Sequence, residues 1–263
     1  MQALYQVDAF TREIFSGNPA AVCPLNKWLP DEILQKIAME NNLSETAFYV
    51  RSGDQYHIRW FTPAVEVELC GHATLAAAWV LFNLEGHEGD EITFFSALSG
   101  ILKVKRDGDC LTMDFPADRV EEAPGDEDVA GCFDPCPAGV YRGWSDYLLL
   151  FEDEDDIVAL APSMAELSKI DARGIIVTAK GREVDFVSRF FAPRVGVDED
   201  PVTGSAHTTL AAFWSGRLGK TEMTARQLSK RGGKLVCRHL GERVEISGFA
   251  RLYMKGEMFG INS

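Results

Sequence analysis

Positive charge is scarce in this chain. Lysine and arginine number 26 against 40 aspartates and glutamates, a formal net charge of −14 over 263 residues. Binding nucleic acid needs clustered basic side chains facing phosphates, so no nucleic-acid partner is expected. A small anionic substrate is not excluded, because a local site can be positive inside an acidic protein. No run is long and apolar enough to span a bilayer, so no membrane partner is expected. Met1 to Phe10 lacks a basic stretch followed by an apolar one, so no secretory signal is expected and the location expected is cytoplasmic. Cysteine is sparse as well: Cys23, Cys70, Cys110, Cys132, Cys136 and Cys237. Cys132 and Cys136 have no second pair nearby, so the expectation is reduced thiols, with no disulfide framework and no metal.

What the chain does have is a copy of itself. Arg59, Phe61, Pro63, Val65 and Val67 recur as Arg189, Phe191, Pro193, Val195 and Val197, at a constant offset of 130 residues. Gly71 and Ala73, flanking His72, answer to Gly204 and Ala206, flanking Ser205. Thr74, Leu75, Ala76, Ala77 and Trp79 recur as Thr209, Leu210, Ala211, Ala212 and Trp214, where the offset has grown to 135. The repeated unit reads as strand, loop, glycine turn, helix. So long a period means a duplication and not a solenoid. Two related lobes are expected, 1–117 and 118–263, with the last strand free to return to the first lobe. A cleft between such lobes is a natural place for a small-molecule site.

Along the chain, Leu4 to Phe10 and Ala20 to Pro24 read as strands. A helix is predicted to begin at Pro30 and end near Asn41 and Asn42. Glu45 to Val50 and Tyr56 to Phe61 read as strands, and Gly71 to Leu84 as a helix apolar nearly all round, hence buried. Strands follow at Ile92 to Phe95, Ile101 to Lys105 and Leu111 to Phe115. Pro116 to Asp128 reads as a linker. Strands near 138–141, 147–151, 174–178 and 185–191, a short helix over 163–169 and the helix Ser205 to Leu218 make the second copy. Three strands over 234–239, 243–247 and 250–255 close the chain. The acidic run Glu152 to Asp156 reads as a solvated loop.

The candidate chemistry gathers at the two glycine turns. A helix start exposes unpaired N–H groups and partial positive charge, and glycine there lets a ligand approach. Gly71 and Ala73 in one copy, with Thr203, Gly204 and Ser205 in the other, are therefore candidate seats for a carboxylate. The alternative is that they are only a turn and a cap. His72, in the first turn, is a candidate for proton handling or ligand contact. His207 reads equally as a packed or capping residue. Asp200 is either a structural partner of the second helix start or a group that positions substrate or His72. Ser205, His207 and Asp200 have the residue types of a hydrolase triad. They crowd within eight positions and lack the strand–nucleophile–helix elbow, which sets that reading aside. Glu45 is a carboxylate among uncharged neighbours, either a general acid/base or a salt-bridged structural residue.

Tyr5 to Phe10 with Gly17, Asn18 and Pro19, then Asn41 to Phe48, then Leu69 to Ala73, then Glu199 to Ala206, resemble the phenazine-biosynthesis isomerase (PhzF-like) family, in family order and over essentially the whole chain. The resemblance implies an α+β fold of the diaminopimelate-epimerase-like kind, two pseudo-symmetric lobes each with a barrel-like, mainly antiparallel sheet around a central helix. It implies a cofactor-independent isomerase acting on a small carboxylate, and a homodimer. It places the acid/base glutamate at Glu45, its supporting histidine at His72, an aspartate at Asp200 and a serine at Ser205. Racemases of the wider superfamily use one cysteine from each lobe. This chain has Cys70 before the first turn but no thiol before Gly204, which leaves a racemase, with a catalytically silent binding protein, as the alternatives. Cys70 reads as a small buried residue.

Overall fold

The computed structural model describes residues 1–261. The chain divides into two compact units, one comprising Met1–Asp114 and the segment from Ser247 onward, the other Phe115–Ile246. In the first, β1 (Gln2–Ala9) pairs antiparallel with β2 (Asn18–Leu25), and helix α1 (Asp31–Asn41) leads to β3 (Glu45–Ser52). β3 is parallel to β2 and antiparallel to β4 (Gln55–Phe61). The two-residue β5 (Glu66–Val67) precedes α2 (Gly71–Asn83), and β6 (Glu91–Ser96), β7 (Gly100–Asp107) and β8 (Cys110–Pro116) follow. β6 lies parallel to β4, and β6, β7 and β8 pair antiparallel in turn.

The second unit opens with β9 (Glu121–Glu122) and the single turn α3 (Glu127–Ala130). It then repeats the scheme. β10 (Gly139–Arg142) pairs antiparallel with β11 (Asp146–Leu150), and α4 (Glu154–Ala159) and α5 (Met164–Leu167) lead to β12 (Gly174–Lys180), parallel to β11. β13 (Phe186–Phe191) is antiparallel to β12. A 3-10 turn over Pro193–Val195 precedes α6 (Gly204–Leu218), and β14 (Glu222–Gln227), parallel to β13, pairs with β15 (Gly233–His239). After β16 (Arg243–Gly248), β17 (Ala250–Met258) pairs antiparallel with β1 in the first unit.

Parallel neighbours cannot be joined by a tight turn and need a crossover. Each unit has two such pairs, and helices make both crossovers. In the first, α1 joins β2 to β3 and α2 joins β4 to β6; in the second, α4 with α5 and then α6 take those places. The duplicated sequence motif is the second crossover. Ten of the 13 residues of α2 are buried, as an alanine-rich helix apolar on all sides requires. In α6, Trp214 stacks on Phe186 at 6.0 Å and donates its indole N–H to the Thr178 hydroxyl at 3.0 Å, satisfying the one polar atom its burial would strand.

Both copies also keep an arginine fork. The Arg59 guanidinium holds both Glu66 carboxylate oxygens at 2.7 Å, and Arg189 holds those of Glu199 at 2.7 and 3.1 Å. Each fork ties its strand to the segment that leads into the buried helix.

The structure departs from the sequence reading in several places. The acidic run 152–156 is not a loop: Asp153 accepts from the Asp155 and Asp156 amides and caps α4 in a reciprocal box, and carboxylates in the first turn favour a helix start. The expected linker 116–128 carries β9 and the beginning of α3, and the helix expected over 163–169 is one turn. The sequence pattern does not reveal β14, because its buried positions are Met223, Ala225 and Gln227, of which only the first is strongly apolar, too weak an alternation to register. Asn42 does end α1, in the left-handed conformation at φ 49° that asparagine tolerates. No described helix is long and apolar enough to cross a membrane.

Candidate functional site

Three chain ends in the first unit converge on one imidazole. Asn18 opens β2, Glu45 opens β3, and Cys70 and His72 form the start of α2. The register of the parallel pair sets Ala20 against Glu45, which brings the beginnings of both strands to the same level. Gly17, just before β2, has φ +69°, and a Cβ there would sit 2.1 Å from the Ala9 carbonyl oxygen, so the turn that delivers Asn18 requires glycine.

The Asn18 side-chain amide meets His72 Nδ1 at 3.1 Å. His72 Nε2 lies 3.2 Å from Glu45 Oε2, at ion-pair distance but without hydrogen-bond alignment, so that carboxylate oxygen is buried with no directional partner among the described residues. Cys70 Sγ is 3.5 Å from Nδ1 and 4.0 Å from Nε2. His72 and Cys70 are buried, while the Glu45 side chain keeps 16% exposure. Of the three side chains, Glu45 is the one that keeps the most exposure.

Burial works against a charged imidazole at His72, but the Cys70 sulfur and the Glu45 carboxylate outweigh it and raise its pKa well above the ordinary histidine value. Burial also pushes the Cys70 thiol up, to about 11, with the Glu45 charge adding to the shift. The Cys70 sulfur and the Glu45 carboxylate together favour a proton on His72. An imidazolium beside an ionised carboxylate is the arrangement that leaves Glu45 able to accept a proton.

In the second unit, Asp200, Thr203, Gly204 and Ser205 lie together. The Thr203 hydroxyl donates to Asp200 Oδ2 at 2.5 Å. Gln227, at the end of β14, staples the turn: its oxygen accepts the Thr203 amide at 2.9 Å and its amide donates to the Asp200 carbonyl at 2.7 Å. Neither buried helix is capped by its own cap residue, Cys70 in one and Thr203 in the other. Gly71 and Gly204 are first helical residues without positive φ, so backbone conformation does not demand glycine at either. Glycine at these positions places no side chain beside the first-turn amides. Glu45, His72, Gly71 and Ala73 thus gather in one unit, and Asp200, Thr203, Gly204 and Ser205 in the other.

His207 is a packed residue. Its Nδ1 donates to the Thr203 carbonyl at 2.7 Å, its ring lies against Phe186, and it makes no triad with Ser205 and Asp200. The carbonyl can only accept, which fixes the tautomer and leaves Nε2 without a hydrogen-bond partner among the described residues. Full burial lowers its pKa to about 4. In the unfolded chain it titrates near 6.5. As pH falls through the window from about 6.5 to about 4 the unfolded state binds the proton and the folded state does not, so stability is lost on acidification. The loss reaches about 3 kcal/mol at the acid end. Urea melts of wild type and His207→Leu at pH 7 and pH 4.5 check this. The variant is expected to lose markedly less stability between the two pH values, whatever its stability at pH 7.

The sequence reading names Asn18 only as part of a motif, without a role, and does not name Gln227, because an amide announces no chemistry until its partners are known. Cys70 was read as a small buried residue; it is buried, but its sulfur also touches the histidine.

Comparison with known proteins bears on family and fold. A family model described as phenazine biosynthesis-like protein matches residues 7–256. An uncharacterized isomerase of Pseudomonas aeruginosa is 53% identical over 255 residues, covering 97% of this chain and 98% of its own length. The human phenazine biosynthesis-like domain-containing protein is 39% identical over 287 residues, covering 97% and 98%. The crystal structure of a phenazine biosynthesis protein of the PhzF family from Enterococcus faecalis superposes with a TM-score of 0.95 at 44% identity, covering 98% of this chain and 99% of that one. A probable proline racemase from Agrobacterium radiobacter, only 9% identical, shares the diaminopimelate-epimerase-like fold at a TM-score of 0.65.

Proposed function

The chain belongs to the phenazine-biosynthesis-like (PhzF) family, and from that premise we propose that it is a cofactor-independent isomerase that moves a proton between two carbons of a small carboxylate-bearing substrate. Glu45 is the general acid and base. The observation that carries this reading is the 3.2 Å approach of Glu45 Oε2 to a buried His72 whose proton the carboxylate helps to retain. The ionised Glu45 takes a proton from one substrate carbon, becomes the neutral acid, and returns the proton to another carbon. His72 holds the charge of the carboxylate between turnovers, and Asn18 fixes the ring. A base held within reach of the reacting carbon replaces a bimolecular proton transfer by an intramolecular one.

Both uncapped helix starts are proposed as carboxylate seats, Gly71 and Ala73 at α2 in the first unit, and Thr203, Gly204 and Ser205 at α6 in the second. Asp200 is proposed to position an amino or hydroxyl group of the substrate. A two-thiol racemase is disfavoured by the cap residues themselves: where α2 has Cys70, α6 has Thr203, whose hydroxyl is engaged by Asp200.

The test has two stages. Small carboxylic acids are screened by thermal shift, and those that bind are incubated in deuterium oxide and followed by proton NMR. Deuterium entering a carbon-bound position of a ligand supports the isomerase. Tight binding with no exchange under any condition supports a silent binder. Gly204→Val is expected to weaken carboxylate binding by tenfold or more by placing a side chain beside the amides, with exchange recovering at high ligand. Unchanged affinity in that variant removes the helix-start contact from the proposal.

A further inference from the structure

We propose that Glu45, Cys70 and His72 form a binding site for a thiophilic divalent cation, zinc above all, which occupies the base and switches the site off. The metal-binding half stands on geometry alone; the inhibitory half rests on Glu45 being the acid/base group.

Each of the three residues offers one ligand atom, and these atoms lie within 4.8 Å of one another. They are a thiol sulfur, an imidazole nitrogen and a carboxylate oxygen, a mixed set that suits zinc and is poor for magnesium or calcium. A tetrahedral zinc with such ligands sets sulfur, nitrogen and oxygen about 3.4–3.6 Å apart. Here Nε2 is 3.2 Å from the Glu45 oxygen and 4.0 Å from Sγ. Side-chain shifts on the order of 1 Å close the set around one ion.

The surroundings fit as well. Nε2 faces the Glu45 oxygen, the Cys70 sulfur lies beside the ring, nearer Nδ1 at 3.5 Å than Nε2 at 4.0 Å, and must swing toward Nε2, and Nδ1 is held by Asn18 at 3.1 Å. A metal-bound imidazole usually has its second nitrogen held this way, and an amide can turn over to accept an N–H as readily as to donate. The Glu45 oxygen nearest the ring is buried and has no hydrogen-bond partner among the described residues, so a cation would satisfy it. Cys132 and Cys136, by contrast, gather no third ligand among the described residues. On binding, coordination bonds form to Sγ, Nε2 and the carboxylate oxygen. The thiol proton and the imidazolium proton pass to solvent, and water takes the fourth position. No electron is transferred. A carboxylate committed to the metal cannot accept a proton from carbon.

The experiment uses the full chain freed of metal by chelator and titrated with cobalt(II), then with zinc(II) against a chromophoric chelator. The expected result is one equivalent per chain, with a thiolate-to-cobalt charge-transfer band in the near ultraviolet. Cys70→Ser is expected to abolish the band and weaken zinc binding by about 100-fold, and the Cys132→Ser/Cys136→Ser double variant to change neither. If serine at position 70 prevents folding, Cys70→Ala, apolar and close in size, carries the same expectation. Absence of the band in wild type, or its survival without Cys70, overturns the proposal. Zinc should also suppress deuterium exchange and release it on chelation; binding at Cys70 without suppression overturns the inhibitory half. Exchange that does not depend on Glu45, with the cobalt band intact, would instead remove the acid/base reading and leave the metal site standing.

Discussion

Glu45→Gln is expected to abolish deuterium exchange into a bound ligand while leaving ligand binding in place. Glutamine keeps the length and shape of the side chain at the start of β3, so the approach to the substrate is unchanged, but its amide accepts no proton at neutral pH. General acid/base groups contribute about 10²–10⁴-fold, and a site with one carboxylate base is expected at the upper end of that range. The substitution also removes one of the two groups that raise the pKa of His72, the Cys70 sulfur being the other. The measurements are exchange rates by NMR and ligand-induced thermal shifts on the same protein. Loss of both would point to a folding or binding defect. Retention of exchange within tenfold of wild type would move the base elsewhere, and Cys70 would become the group to test, since its sulfur is the remaining proton carrier in contact with His72.

Much of the architecture was legible because it was written twice. The shared pattern from Arg59 to Trp79 and from Arg189 to Trp214 specifies a strand, a tight entry and a buried helix, and the same crossover joins parallel strands in both units. A helix as apolar as 71–83 has nowhere to lie but inside a sheet. The peripheral elements were harder to see. α4 is one and a half turns long, and its acidic first turn looks like solvated loop until Asp153 is recognised as its cap. β9 is two residues long and exposed, so neither pattern nor burial marks it.

The site was legible as residue types and not as geometry. Glu45 and His72 are 27 positions apart, and only the register of β2 with β3 and the start of α2 brings them to 3.2 Å. Cys70 showed its place in the chain but not its neighbour. Gln227 was invisible because it comes from β14, a strand the alternation did not reveal, and its role is entirely in holding Thr203 and Asp200.

Arg189→Ala is expected to be the most destabilising single change among the ion pairs. The side chain is 13% exposed and makes four hydrogen bonds. Two go to Glu199, and two from Nη1 go to the carbonyls of Ile157 and Leu160, at 3.1 and 2.7 Å. Those carbonyls belong to the end of α4, where a cation also complements the helix dipole. Truncation strands a largely buried carboxylate and two acceptors together, a loss of about 3 kcal/mol or more. For a unit of this size that is a fall in Tm of roughly 10 °C. Arg189→Lys keeps the charge but not the fork, and is expected to recover less than half of the loss. The control is Arg226→Ala, whose partner Glu183 is 83% exposed at 3.5 Å, where a change below about 1 kcal/mol is expected. Equal effects at Arg189 and Arg226 would show that the fork contributes no more than a surface pair. The difference matters for the site because Glu199 adjoins Asp200. Once the fork is lost, the segment from Glu199 to Thr203 is held by Gln227, the bond from the Asp200 amide to the Phe190 carbonyl, and the Ser229 hydroxyl on the Pro201 carbonyl. Carboxylate binding in Arg189→Ala should therefore weaken along with stability, whereas Arg226→Ala should leave it unchanged.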